Sequence, residues 1–126
     1  MKILIVDDDE LQQTLIESHI EKYFQEHPHL EYIISQTRSG ISALEFDKVK
    51  HYNLVFMDIL MPLMNGIDTT KNMKRYNKDV VVVAISSDDS EENKSKTFEA
   101  GADDFIPKPI SKEAIFRVLD LHCKKN

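Results

Sequence analysis

Cysteine, positive charge and long apolar runs are all scarce in this 126-residue sequence. The lone cysteine, Cys123, cannot form an internal disulfide, which indicates a reducing compartment. The longest apolar run covers residues 80–85, far short of the ~20 residues that span a bilayer. Residues 1–6 reach an aspartate triplet after one short apolar run, unlike a signal peptide. We therefore expect a soluble cytoplasmic protein with no membrane segment.

The shortage of positive charge argues against nonspecific nucleic-acid binding. Sixteen lysines and arginines stand against 22 aspartates and glutamates, for a formal net charge of -6. Nonspecific nucleic-acid binding needs clustered Lys and Arg against phosphates, so we expect no direct contact with nucleic acid. The length fits one domain whose core buries enough surface to fold without disulfides or a structural metal. The sequence therefore predicts a single domain over residues 1–126.

Short apolar runs alternate with helical patterns along the chain. The apolar runs, read as strands, are 3–6, 32–34, 54–57, 80–85 and 105–106, and the helical patterns are 11–24, 39–50, 65–76, 88–100 and a last one from 111. Leu11, Leu15 and Ile16 begin what reads as one apolar stripe on the first helix. Asp88 or Asp89 is the expected N-cap of the fourth helix, and Gly101 its expected stop.

This alternation predicts an α/β fold with a doubly wound parallel sheet and helices on both faces. Continuously apolar strands are typical of parallel sheets covered on both sides, and residues 80–83, all valine, are the clearest case. In such folds, ligands bind at the carboxyl ends of the strands. The pattern alone does not give the strand order.

Chemically active residues follow several of the predicted strands. Asp7 and Asp8 follow the first, Asp58 the third, Ser86 ends the fourth and Lys108 follows the fifth. Taken singly, each has an ordinary interpretation as a turn residue, helix cap or surface side chain. Their joint placement on one edge of the sheet makes a shared site the better interpretation. Asp9 we expect to cap a helix rather than to bind a ligand.

Carboxylates that meet at one edge repel one another unless a cation offsets them. Mg²⁺, a hard ion that prefers oxygen ligands, is the natural counter-ion. A lysine and a hydroxyl on the same edge supply donors for anionic oxygens. A carboxylate nucleophile with a metal, a lysine and a hydroxyl forms a set suited to phosphoryl transfer.

At these residues the sequence resembles the receiver domains of two-component signalling, a family that includes the chemotaxis response regulators. Four segments carry the resemblance, at residues 3–9, 57–66, 84–87 and 101–109. The resemblance implies a flavodoxin-like, five-stranded sheet in the order 2-1-3-4-5. It also implies a role in a phosphorelay, with phosphoryl transfer from a histidine kinase or histidine phosphotransfer protein. The domain would then catalyse only its own phosphorylation and dephosphorylation.

The resemblance assigns a role to each matching position. Asp58 is implied to be the phosphoacceptor, with Lys108 pairing first with it and then with the phosphoryl oxygens. Asp7, Asp8, Asp58 and the Leu60 backbone carbonyl are implied to hold Mg²⁺, for which Mn²⁺ or Ca²⁺ can substitute. Ser86 and Phe105 occupy the two switch positions, and the Lys108–Pro109 peptide is implied to be cis. The expected downstream partner is an effector protein or an output domain.

Of two rival interpretations, the sequence leaves the first as an alternative, and the second fails on charge. A small Mg²⁺-dependent phosphohydrolase of the haloacid dehalogenase type would use the spacing of Asp7 and Asp9, although this short chain leaves no room for a cap domain. A flavodoxin-like electron carrier would need a Ser-, Thr- and Gly-rich loop after the first strand, where this sequence has acids. Whether the domain stands alone or belongs to a longer regulator, and which kinase serves it, the sequence leaves undecided.

Overall fold

A computed structural model describes residues 1–123, so the last three residues of the predicted domain lie outside the described part. Strands and helices alternate along the chain. The strands are β1 (Lys2–Val6), β2 (Ile33–Thr37), β3 (Leu54–Asp58), β4 (Val81–Ser86) and β5 (Asp104–Pro107). The helices are α1 (Glu10–Gln25), α2 (Gly40–Lys50), α3 (Gly66–Tyr76), α4 (Glu91–Glu99) and α5 (Lys112–Cys123).

The five strands form one parallel sheet in the order β2-β1-β3-β4-β5. Both the α/β class and the implied strand order are thereby confirmed. One apolar core lies between the sheet and α1 with α5, and a second lies between the sheet and α2 with α3. Helices therefore cover both faces of the sheet. Because all five strands are parallel, their carboxyl ends lie together at one end of the sheet.

The strand at one border of the sheet is displaced from its predicted position. Residues 32–34 were the expected strand, whereas β2 covers Ile33–Thr37. Ser35 and Gln36 in this strand are at least partly exposed because β2 has a neighbour on one side only. An edge strand need not be continuously apolar, so the apolar run marked only its beginning.

The predicted stripe on α1 is wrong at its first two members. Leu11 is 80% exposed and Leu15 is 37% exposed. At about 100° per residue they lie on the side opposite Gln13 and Ile20, which are buried. Gln13 belongs on the buried side because its Nε2 donates to the carbonyls of Asp7 and Thr37, each at 2.8 Å. An amide whose N–H groups are both hydrogen-bonded therefore occupies this buried position in place of an apolar side chain.

The helix caps agree with the sequence at α1 and differ at α4. Asp9 caps α1, since its Oδ1 accepts from the Leu11 N–H at 2.9 Å, as predicted. Ser90, and not Asp88 or Asp89, caps α4 through its Oγ. Serine is itself a preferred N-cap residue, and with Ser90 as the cap Glu91 and Glu92 lie in the first turn of the helix. Gly101 follows α4 with a φ of 112°, which confirms it as the stop.

A buried polar network joins three elements at the amino end of the sheet. The Asp47 carboxylate, near the end of α2, accepts from the Tyr52 N–H and from Asn77 Nδ2, both at 2.9 Å. Asn77, which caps α3, also donates to the Tyr52 carbonyl at 3.0 Å. This network fastens α2, α3 and the start of β3 together.

Within residues 1–123, no helix has the length and apolar character that crossing a membrane requires.

Candidate functional site

The predicted site residues meet at the carboxyl edge of the sheet. Asp58 is the last residue of β3 and Ser86 the last of β4, while Asp7 and Lys108 immediately follow β1 and β5. The register pairs Val6 with Met57 and Asp58 with Ile85, so the residues at and just beyond the ends of β1, β3 and β4 lie near one another. The parallel sheet thereby assembles the set that the sequence could only infer from chain order.

Three carboxylates form a compact cluster on this edge. One oxygen from each of Asp7, Asp8 and Asp58 lies within 4.8 Å of the other two. Asp7 and Asp58 are 1% and 2% exposed, whereas Asp8 faces solvent. An ion approaching from solvent would therefore meet Asp8 beside two buried carboxylates.

Asp58 is held by two donors. Its Oδ1 accepts from the Leu60 N–H at 3.3 Å and lies 3.5 Å from Lys108 Nζ. Burial and, second, the charge of Asp7 raise the pKa of Asp58 to about 6, against the opposing effects of Lys108 and the Leu60 N–H. A carboxylate with this pKa is largely ionised at neutral pH.

Asp7 supplies the clearest sign that the cluster suits a cation. Its Oδ1 accepts from the Asp9 N–H at 2.9 Å, while its Oδ2 is buried with no hydrogen-bond partner. Burial also raises the pKa of Asp7. A buried carboxylate oxygen without a partner is costly unless a cation satisfies it. The all-oxygen donor set fits a hard divalent ion such as Mg²⁺.

Ser86 and Lys108 are joined through the backbone. Ser86 is fully buried, and its carbonyl accepts from the Lys108 N–H at 2.9 Å. The peptide between Lys108 and Pro109 is cis, as the resemblance implied. The Ser86 hydroxyl accepts from the Asp88 N–H at 3.1 Å and so is engaged on the side of α4.

The remaining predicted positions lie nearby. Phe105, in β5, is 9% exposed, and Lys94 Nζ lies 5.8 Å from its ring centroid. Leu60 borders Asp58 through its backbone N–H, while its side chain is 56% exposed. The role of the Leu60 carbonyl as a metal ligand stays a prediction.

Two supporting residues were not recognised in the sequence. Gln13 bridges the end of β1 to the end of β2, which fixes the backbone of Asp7. A Cβ at Gly66 would lie 2.2 Å from the Asp58 carbonyl oxygen, so only glycine lets α3 start this close to β3. Gly66 lies in the segment 57–66 that carries part of the family resemblance, but the sequence alone does not reveal this close approach.

Comparison with known proteins agrees with this geometry. Residues 3–120 match the response regulator receiver domain family. The chain is 32% identical over 114 residues to the chemotaxis protein CheY of Halobacterium salinarum, covering 90% of this chain and 89% of that protein. It is 30% identical over 118 residues to the transcriptional regulatory protein ResD of Bacillus subtilis, covering 93% of this chain but only 46% of ResD.

Solved structures show the same architecture. The receiver domain of a Pseudomonas aeruginosa sensor histidine kinase, solved with a magnesium ion in its active-site cleft, superimposes with a TM-score of 0.84. The two chains are 21% identical, and the match covers 98% of each, so this likeness concerns the fold. Together with the family match over residues 3–120, it leads to one conclusion. The chain belongs to the response regulator receiver domain family.

Proposed function

We propose that this protein receives a phosphoryl group on Asp58 within a two-component phosphorelay. The observation that carries the proposal is the position of Asp58. It is a buried but ionisable carboxylate that contacts Lys108 and lies within one cluster with Asp7 and Asp8. Burying an ionised carboxylate lowers the stability of the fold. Phosphoryl transfer is a reaction in which Lys108, Asp7 and Asp8 would each have a role.

The donor in this proposal is a phosphohistidine on a histidine kinase or histidine phosphotransfer protein. A carboxylate oxygen of Asp58 forms a bond to phosphorus as the bond from phosphorus to the histidine nitrogen breaks. The electron pair and a proton remain with the departing imidazole. Lys108 Nζ, 3.5 Å from Asp58 Oδ1, offsets the charge on the transferred oxygens. The product is an aspartyl phosphate, which water later hydrolyses.

Asp7, Asp8, Asp58 and the Leu60 carbonyl would hold the divalent ion, Mg²⁺ or in its place Mn²⁺ or Ca²⁺. When bound, the ion offsets negative charge among these carboxylates and the incoming phosphoryl group. The unpartnered Asp7 Oδ2 supports this assignment.

Ser86 and Phe105 are the proposed switch. After transfer, the Ser86 hydroxyl donates to a phosphoryl oxygen, and Phe105 changes its packing. Both residues lie beside α4 and β5, so the surface of these elements changes for a downstream partner. That partner is an effector protein or an output domain, and the setting is the cytoplasm. We further propose that residues 1–126 form one receiver domain that catalyses no reaction beyond its own phosphorylation and dephosphorylation.

The test is phosphorylation by a small donor. The purified protein is incubated with acetyl phosphate and Mg²⁺, and intact mass is measured. We expect an added phosphate that requires the metal, is absent in Asp58→Asn and is labile to hydroxylamine, as acyl phosphates are. Phosphate that persists on Asp58→Asn would overturn the assignment.

The rival interpretation as a phosphohydrolase requires two aspartates in the site, and one of them is engaged elsewhere. Its second carboxylate would be Asp9, whose side chain caps α1 instead. Sustained turnover of para-nitrophenyl phosphate would nevertheless favour that rival over the proposal.

A further inference from the structure

A closed circuit of hydrogen bonds links Ser86 to the first turn of α4. Ser86 Oγ accepts from the Asp88 N–H at 3.1 Å, and Asp88 Oδ1 accepts from the Ser90 N–H at 3.1 Å. Ser90 Oγ accepts from the Asn93 N–H at 3.2 Å. Asn93 Nδ2 then donates to the Asp88 carbonyl at 2.7 Å and lies 3.5 Å from Ser86 Oγ. The Asn93 amide therefore closes the circuit.

The two halves of Asn93 have separate tasks. Its backbone N–H belongs to the helix cap formed by Ser90. Its side-chain amide faces the β4–α4 loop and the Ser86 hydroxyl. A cap alone would need nothing from the side chain, so the amide's position needs a different explanation.

A Ser86 hydroxyl that turns towards a phosphoryl group on Asp58 would leave this circuit. In the unphosphorylated fold its buried oxygen accepts from the Asp88 N–H and lies within reach of Asn93 Nδ2. Turning towards Asp58 would give up both contacts, and each lost hydrogen bond disfavours the turned state even though Asp88 is exposed and Asn93 is half-buried. The circuit therefore opposes the movement that phosphorylation requires.

The next residue of α4 contacts the other switch position. Lys94 Nζ lies 5.8 Å from the centre of the Phe105 ring, within the range of a cation–π interaction. Consecutive residues of one helical turn thus contact Ser86 and Phe105.

We propose that Asn93 is a positioning residue that holds the Ser86 hydroxyl on the α4 side of the site until Asp58 is phosphorylated. Asn93 thereby sets how easily the switched state forms. This inference rests on the proposed function, because it concerns the response to a phosphoryl group on Asp58.

The experiment measures the affinity for beryllofluoride, an analogue of a phosphoryl group on a carboxylate, by calorimetry in the presence of Mg²⁺. Asn93→Ala should bind it about threefold to tenfold more tightly than the wild type, the range expected for one hydrogen bond. The same substitution in a Ser86→Ala background should change nothing, because Asn93 acts through that hydroxyl. Asn72→Ala is the matched control, since Asn72 makes a similar side-chain bond to the Asp68 carbonyl on α3.

The outcomes separate the two proposals. If the wild type binds no beryllofluoride, the proposed function fails and the inference fails with it. If the wild type binds but Asn93→Ala binds equally or more weakly, only the inference is overturned. An equal gain in the Ser86→Ala background, or in Asn72→Ala, would show a general effect of helix substitution and would also overturn it.

Discussion

Asp58 is the residue at which burial and chemistry conflict most directly. Its side chain is 3% exposed, and the charge of Asp7 adds to the cost of ionising it. Lys108 and the Leu60 N–H recover part of that cost. The pKa of Asp58 stays raised, so these two donors do not fully offset its burial and the charge of Asp7.

Asp58→Asn should therefore stabilise the metal-free protein at neutral pH, by about 3 kcal/mol. The pKa of Asp58 is raised to about 6 in the fold, against an ordinary value near 4. Between these pH values the fold binds a proton that the unfolded chain does not, so wild-type stability is lost as pH rises through 6. Urea unfolding in EDTA should show the full advantage of Asp58→Asn above pH 7 and its disappearance below about pH 4.

A gain that stayed constant across this pH range would contradict the prediction. It would indicate that the asparagine improves packing or hydrogen bonding rather than removing a charge.

At the scale of the elements, the three aspartates that precede α1 have different positions. Asp7, Asp8 and Asp9 are consecutive, yet Asp7 and Asp8 join the cluster while Asp9 caps the helix. The extended backbone of Asp9, with φ -100° and ψ 114°, turns its carboxylate towards the Leu11 N–H.

Asp9→Ala should lower the free energy of unfolding by about 1 kcal/mol, the usual value of an N-cap. Phosphorylation by acetyl phosphate should persist, because Asp9 is not expected to bind the metal. Asp9→Asn is the matched control, since it keeps the cap and removes the charge. Chemical denaturation measures the first effect and intact mass the second. Loss of phosphorylation in Asp9→Asn would reveal a functional role for the Asp9 carboxylate.

At the scale of the whole molecule, three acidic side chains are concentrated in one cluster. A cation that bound this cluster would stabilise the folded state. The chain carries a formal net charge of -6, and part of its acidity is concentrated in the Asp7, Asp8 and Asp58 cluster. An ion that binds only the folded state stabilises it in proportion to the logarithm of its concentration.

Mg²⁺ should raise the free energy of unfolding by about 1.4 kcal/mol at ten times its dissociation constant. Thermal unfolding with increasing MgCl₂ measures this effect, with NaCl of equal ionic strength as the control for screening. Asp8→Asn should lose most of the increase, because Asp8 is the solvent-facing member of the cluster. An equal stabilisation of the wild type and Asp8→Asn would contradict binding at this cluster.

The sequence predicted the architecture well because its main signals are local. Runs of buried apolar residues mark β1, β3 and β4, and the resemblance supplied the strand order. It predicted less well where tertiary contacts decide. Leu11 and Leu15 face solvent because the bonds of Gln13 orient α1, and β2 shifts because it is an edge strand.

The sequence named the members of the candidate site residue by residue, but not the contacts that support them. Chain order places Asp7, Asp58 and Lys108 at strand ends, and a parallel sheet then brings them together. The close approach at Gly66 and the contact of Asn93 with Ser86 depend on distances between separate elements. No local pattern of residue types encodes those distances.

The Asp47, Tyr52 and Asn77 network has a consequence for the proposed switch. It ties α2, β3 and α3 at the end of the sheet opposite the acidic cluster. A loop that moved beside Asp58 would therefore move relative to elements whose other ends are tied together. Breaking the network would loosen these elements without removing any carboxylate of the cluster.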